Sequence, residues 1–416
     1  MQAVLAIPGS ATLRNYGEPR DVLMRQVAGV PLLVRVLATA ARAGVDSILV
    51  IWPKDVDLAI FESCADSYLL KGIDVNKRVW TSAFDPWSAD HWAAIARRLE
   101  GQFLWLPWNW ATHKRALAGL SPSSFRPVNW ESPVSLEIRA VLPDARSRVS
   151  SDREPEGVAV TSPATASVAE RYLVANSGKP TDGIYSNFNR LLCRPAVRLL
   201  SHTRATPNAL TLAGLLVAIV GALFYARGSY ANYLTGALMF FVSGLFDEMD
   251  GMIARLKFRE SAFGTWFEGF VDNVTYLAVF TGIIVGLHRQ DGSRALKYGI
   301  ALIIGCALSV VVIALQRKLA TSPDRPHEYA RTMNQLMEAD SSNLASKIVR
   351  QIHIFVKKGV VVHYLLIFTL LGGLPVFLWL AALGSNLTWI FALYFTRRFF
   401  HRAPVEAAVT EMPKAA

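Results

Sequence analysis

From Ala209 onward the chain is dominated by apolar runs near the length a bilayer requires, and this limits its fold more than any other feature. The runs read as Ala209–Tyr225, Tyr233–Phe246, Trp266–Leu287, Leu296–Leu315, Val360–Leu371 and Pro375–Phe395. They predict an all-α domain of six transmembrane helices with both ends on one side of the bilayer. Basic residues say which side. Arg190, Arg194, Arg198 and Arg204 precede the first run, and Arg255, Lys257 and Arg259 follow the second. Arg317, Lys318, Lys357 and Lys358 bracket the loop after the fourth, and Arg397, Arg398 and Arg402 follow the sixth. The opposite loops carry fewer, chiefly Arg227, Arg289, Arg294 and Lys297. By the positive-inside rule this is a multi-pass inner-membrane protein with cytoplasmic N- and C-termini.

The formal charge of +11 and pI near 9.7 are therefore read as topology signals, and no nucleic-acid partner is expected. A hydrophobic content of 52% and mean hydropathy of +0.29 agree with the lipid bilayer as the surroundings. Cys64, Cys193 and Cys306 are far apart and odd in number, which gives neither a metal spacing nor a disulfide framework. The apolar run Ala3–Pro8 is too short for a signal peptide and lacks a basic leader. Gly214, Gly221, Gly236, Gly244 and Gly305 suit close helix approach in lipid. Gly372-Gly373 before Pro375 reads as a tight turn rather than a broken, substrate-binding helix.

Residues 1–120 have a different texture. Ala3–Ile7 and Ser47–Trp52 read as short buried strands, and Pro31–Ala43 between them as a helix ending at Gly44. Strand, helix, strand predicts an α/β domain with a parallel sheet. The tryptophans Trp80, Trp87, Trp92, Trp105, Trp108 and Trp110 are expected in a core or interface. Residues 121–180, rich in Ser, Pro, Arg and Glu, read as domain tail and linker. Residues 181–204 contain a basic amphipathic juxtamembrane helix, Ser186–Arg204, suited to an anionic surface. The six-span domain then covers 205–400, with a cytoplasmic tail at 401–416.

Within that domain stands Asp247-x-x-Asp250-Gly251-x-x-Ala254-Arg255, followed by Gly264, Glu268 and Asp272. Spacings of three and four place each carboxylate pair on one face of its helix. A solvated rim explains an isolated pair. Four acids beside two apolar spans, with small residues and an arginine at helical offsets, point instead to a site for divalent cations and phosphate. Gly251 and Ala254 admit a ligand or backbone closely, Gly264 clears space one turn before Glu268, and Arg255 is shaped for phosphate.

The stretch resembles the signature of the CDP-alcohol phosphotransferase family, D-x-x-D-G-x-x-A-R, eight residues, then G-x-x-x-D-x-x-x-D. Every position matches except Glu268, which stands where the family has its third aspartate. The resemblance covers roughly residues 180–400 and implies attack by an alcohol, or a phosphorylated alcohol, on the diphosphate of a CDP-alcohol donor, releasing CMP. It implies two divalent ions, Mg²⁺ or Mn²⁺, held by Asp247, Asp250, Glu268 and Asp272, with Asp272 also the general base. It further implies nucleotide contacts from Asn208 and Thr211 in Thr206-Pro207-Asn208-x-x-Thr211, a segment that also reads as an ordinary helix start. Gly251, Ala254, Arg255 and Gly264 complete the nucleotide and phosphate set. Arg194, Arg198, Lys257 and Arg317 are candidates for a phosphorylated acceptor, although each also serves as a positive-inside anchor. A homodimer is expected.

Lys179-Pro180-x-Asp182-Gly183 with Asn189-Arg190 resembles the leading segment of the di-inositol-phosphate branch. The head resembles sugar-nucleotide transferases at Val4–Leu13, Pro19-Arg20 and Gly29–Leu33. Ile7, Pro8, Ser10 and Thr12 replace the residues of that family's phosphate loop. Leu106-Pro107-Trp108-Asn109 has no metal-binding aspartate, and Pro8 has no amide to donate. The layout is that of bifunctional enzymes that make CDP-inositol and then transfer its inositol phosphate, with the head degenerate and expected to be inactive. Its remaining roles are dimerisation, partner binding or regulation. A non-catalytic scaffold and an ion-relay transporter are the competing readings of the whole chain. The acceptor, and whether the donor is a lipid, stay open.

Overall fold

The computed structural model describes residues 1–120 (apart from 72, 81–82 and 100), 126–127, 130–131, 134–137, 149–150, 156–178, 183–321, 329–340, 343–352 and 358–400. Lys179, Pro180, Asp182, Lys357, Arg402 and the tail 401–416 lie outside the described residues. Two compact units emerge. The first comprises Met1–Pro180, Cys193–Pro207 and Gly251–Glu260; the second comprises Thr181–Leu192, Asn208–Asp250 and Ser261–Ala416.

The first unit is built on a sheet of β1 (Gln2–Ala6), β2 (Ser47–Pro53), β3 (Asp74–Trp80), β4 (Gln102–Pro107) and β5 (Val134–Glu137). Its order is β3-β2-β1-β4-β5, parallel except for the antiparallel edge strand β5. Ile48 to Trp52 are all buried, as the continuous apolar run of a covered parallel strand requires. The head helices are α1 (Ser10–Arg14), α2 (Pro19–Leu23), α3 (Leu32–Arg42), α4 (Leu58–Ala65), α5 (Ala89–Ile95), α6 (Lys114–Ala118) and α7 (Pro163–Ala175). The expected strand–helix–strand is present, and α3 gives way to Gly44 at φ +97°. Trp92 and Trp105 lie in the core with Phe84, Phe103 and Trp130, and the Trp92 and Trp130 rings stack at 5.6 Å. Trp87 is 54% exposed.

The same unit takes in the turn after Arg255 and the segment before Asn208. Arg35, fully covered on α3, donates to the carbonyls of Val27 at 2.9 Å and Leu256 at 2.9 Å. Its guanidinium stands over the Phe258 ring at 5.2 Å. Burial pulls Arg35 down to about 9, against the opposing pull of Glu170, so it stays charged at neutral pH. Lys257 Nζ donates to the carbonyls of Leu200 (3.2 Å), Thr203 (2.7 Å) and Ala205 (3.1 Å). Gly29, at φ +75°, lies under Ser201, where any Cβ would overlap the carbonyl oxygen.

The second unit is helical: residues 184–192 of α8 (Ile184–Ser201), then α9 (Pro207–Arg227), α10 (Tyr230–Leu256), α11 (Ala262–Asp291) and α12 (Ser293–Ala320). After these come α13 (Tyr329–Ala339), α14 (Leu344–Ile352), α15 (Lys358–Leu370) and α16 (Leu374–Phe400). Among the described residues, α9, α11, α12 and α16 are long and apolar enough to cross a membrane. The apolar part of α15, Val360–Leu370, is shorter, and α10 carries the acids. The turn expected at Gly372-Gly373 is there, with Gly372 at φ +67°.

Small residues and side-chain amides bring these helices together. α12 and α16 join through Ser309 to the Ser385 carbonyl (3.0 Å) and Asn386 to the Ala301 carbonyl (2.9 Å). α13 and α14 are two amphipathic helices where the sequence reading had only a loop bracketed by basic residues. Arg398 holds their junction through a bidentate pair with Asp340 at 2.8 and 2.7 Å, keeping that carboxyl down to about 2. α9 meets α11 where Gly282 and Gly286 face the carbonyls of Ala222 and Tyr225, leaving no room for side chains. Gly286→Leu is expected to cost about 1–3 kcal/mol by overpacking. Gly384→Leu, where nothing lies within 4 Å, is the control. Apparent melting temperatures of the detergent-solubilised variants should fall for the first and hold for the second.

Candidate active site

Asp247, Glu248 and Asp250 stand in the last part of α10, followed one turn on by Gly251, Ala254 and Arg255. At roughly 100° per residue, Asp247 and Asp250 project close together while Glu248 turns to one flank. α11 starts at Ser261, whose hydroxyl accepts from the Gly264 amide at 3.0 Å. Gly264, Glu268, Asp272 and Tyr276 then repeat every four residues, forming one stripe. Asp250 is only 4% exposed, whereas Asp247, Glu268 and Asp272 are half-buried.

Three observations tie the stripes together. Thr211, buried on the first turns of α9, donates its hydroxyl to Asp250 Oδ2 at 2.5 Å. A Cβ placed on Gly264 would lie 3.7 Å from Asn208 Oδ1, so the start of α9 borders the start of α11. The Tyr276 hydroxyl is buried without a hydrogen-bond partner among the described residues, and both Asp272 and Asp247 lie within its electrostatic range. Asp247 of α10 and Asp272 of α11 are therefore both in the neighbourhood of Tyr276. Among the described residues no group of three or more His, Cys, Asp or Glu side chains converges at ligating distance. The donor set itself, all hard carboxylate oxygens from two rigid helices, suits Mg²⁺ or Mn²⁺.

The other expected site residues have definite places. The Gly251 position leaves a Cβ 3.2 Å from the Arg255 guanidinium, and Arg255 Nε donates to the Ser177 carbonyl. Ala254 is half-buried on the same turn. Lys257 is committed to its three carbonyls. Arg198 is committed to Glu170 at 3.5 Å and the Ser167 hydroxyl at 2.5 Å. Arg194 is exposed on α8, and Arg317 is exposed on α12 over the Tyr329 ring at 5.3 Å. Sequence reasoning passed over Tyr276, legible as the next step of the i+4 stripe, and the pair formed by Arg190 and Glu248. That pair has no sequence signal beyond Glu248 being a fifth acid in the interval.

Comparison with known proteins bears on this geometry directly. Residues 204–337 match the family model described as CDP-alcohol phosphatidyltransferase. Archaetidylinositol phosphate synthase of Methanothermobacter thermautotrophicus is 38% identical over 150 residues, 30% of this chain and 75% of that protein. The chain belongs to the CDP-alcohol phosphatidyltransferase family. It is thus an enzyme of a phosphotransferase family, and the carboxylates of α10 and α11 lie inside the matched interval. Phosphatidylinositol phosphate synthase of Streptomyces avermitilis is 27% identical over 217 residues, 51% of this chain and 80% of that protein. The bifunctional IPC transferase and DIPP synthase of Aquifex aeolicus is 23% identical over 239 residues, 56% of this chain but 49% of that protein.

Thr211→Val removes a donor to a buried carboxylate, an interaction of roughly 1.5–3 kcal/mol. Product formation by the purified enzyme is expected to fall about ten- to hundredfold, and Thr211→Ser should keep most of it.

Proposed function

We propose that the chain is a multi-pass membrane transferase that moves a phospho-alcohol group from a CDP-alcohol to a second alcohol, with release of CMP. The observation that carries this reading is the pair of carboxylate stripes on α10 and α11, each bordering the start of α9 through Thr211 and Asn208, inside the family-matched interval. Asp247, Asp250, Glu268 and Asp272 would hold two divalent ions. Bound there, Mg²⁺ or Mn²⁺ would neutralise the donor diphosphate and the departing CMP. Thr211 keeps Asp250 oriented from the side of α9. Asn208, at the exposed start of that helix, is available to the nucleotide. Asp272 takes the proton from the incoming hydroxyl, which attacks phosphorus in line as the phosphorus–oxygen bond to CMP breaks. Arg255, with Gly251 and Ala254 beside it, serves the phosphates.

The inositol phosphate named for the relatives is the acceptor or donor alcohol class that we favour for this chain. Arg194 and Arg317, exposed on α8 and α12, stay the candidates for a phosphorylated acceptor. Six spans follow if α10 and α15 cross together with the four long apolar helices. The basic-residue bias then puts the termini and the acids at the cytoplasmic face of the inner membrane. We read the assembly as a homodimer.

The head we read as nucleotidyltransferase-like and inactive in nucleotide transfer. The Ser10 amide, where such a domain would offer a donor to phosphate, already donates to Asp55 Oδ2 at 2.7 Å. Hydrogen bonds from Ser10 hold the Asp55 carboxyl below the usual carboxylate range. A second negative group is not welcome there. The full-length protein given CTP, Mg²⁺ and a polyol phosphate should release no pyrophosphate.

CMP release from purified protein supplied with CDP-diacylglycerol or a CDP-polyol, an alcohol acceptor and Mg²⁺ or Mn²⁺ is the direct test. Release should stop with EDTA, and Asp272→Asn should lower it about 10²–10⁴-fold. Absence of CMP release with every donor would leave the scaffold reading in its place. Glu268→Asp should change the rate by less than about tenfold, since glutamate also ligates Mg²⁺ or Mn²⁺ and its flexible arm can take up the roughly one-ångström difference in reach. A larger gain would mark Glu268 as a defect of the site.

A further inference from the structure

The family signature leaves open the residue after its first aspartate, and here that residue is Glu248. Its carboxylate Oε2 accepts from Arg190 Nε on α8 at 3.0 Å, and Ser186, one turn earlier, is a further hydrogen-bond partner. The pair is covered: the two side chains are 10% and 11% exposed, and the neighbouring Asn189 is fully buried. Buried ion pairs add little to stability over an apolar pair of similar size, because desolvating both charges offsets their attraction. Stability alone is therefore a poor account of this one. Its place is informative. Glu248 is one residue after Asp247 and two before Asp250 on a continuous helix, so fixing the Glu248 side chain fixes the rotation of α10 about its axis. That rotation decides where both aspartates point. Arg190 also compensates a carboxylate that would otherwise add its charge beside the two acids.

Resting on the transferase reading, we propose that Arg190 is a positioning residue, which aims Asp247 and Asp250 by holding Glu248. Groups that orient metal-binding side chains in this way typically contribute about 10–100-fold in metal affinity or rate when removed.

The test uses the full-length protein and two readouts, Mn²⁺ binding by electron paramagnetic resonance and the kcat of CMP release, with melting temperature recorded alongside. Arg190→Met is expected to weaken Mn²⁺ binding and lower kcat about 10–100-fold, with a smaller change in KM for the donor. The charge exchange Arg190→Glu with Glu248→Arg should recover both. The apolar pair Arg190→Met with Glu248→Met should recover the melting temperature and neither of the others. Recovery of Mn²⁺ binding and kcat by the apolar pair would reduce the interaction to packing and overturn the proposal, as would an Arg190→Met variant within twofold of wild type in both. Wild-type protein without CMP release would count against the transferase reading alone, because the Mn²⁺ spectra still decide whether Arg190 aims the aspartates.

Discussion

A carboxylate at the end of an apolar helix has lost much of its water, and it stays ionised only if the protein or a ligand replaces what water supplied. This chain sets four such groups on α10 and α11, and much of the second unit is arranged around that requirement. Asp250, almost wholly covered, takes a hydroxyl proton from Thr211. Glu248 takes a guanidinium from Arg190. The stripe on α11 runs from Gly264 through Glu268 and Asp272 to Tyr276. Hard carboxylate oxygens of this kind suit a divalent ion, the ligand proposed for them.

The first unit meets a related requirement at the other end of the signature. The helix carrying the acids ends at Leu256, and its last carbonyls need partners. Arg35 supplies one from inside the α/β head, and a cation at a helix C-terminus is favourable on electrostatic grounds as well. Lys257 turns the other way and gathers three carbonyls from the segment leading into α9. The α/β unit thus supplies partners to the backbone around Leu256. Its third helix fills a turn that directly continues the acidic helix. Arg35 lies among fully buried neighbours, where a charge is tolerated because three backbone carbonyls accept from it.

Periodicity made the parts legible that depend on one element at a time. The apolar runs, the parallel head strands, the turn at Gly372 and the pairing of acids at three and four residues all follow from local pattern. What the sequence could not supply are contacts between distant segments. Nothing local distinguishes Arg190 and Arg198, eight residues apart on one basic helix. One pairs with Glu248 in the helical unit and the other with Glu170 in the head unit. Lys257 read as an acceptor-binding cation because its carbonyl partners lie about fifty residues away. The helices α13 and α14, eleven and nine residues long, were missed because they fall far short of the membrane-length runs around them. Their junction is organised by Asp340 and Arg398, again far apart in the chain.

Glu268 is the one departure from the family pattern, and the geometry of α11 bears on how it is accommodated. Side chains on a helix lean toward its N-terminus, so the longer arm of Glu268 leans over the turn before it. That turn is Gly264. A Cβ there would meet only the Ser261 hydroxyl at 3.1 Å and the Asn208 side chain at 3.7 Å, and no Cβ is present. No side-chain atom of Glu268 comes within 4 Å of that point, so space remains on this side of the longer arm. The same glycine that lets the start of α9 border α11 thus leaves the turn before Glu268 free of a side chain.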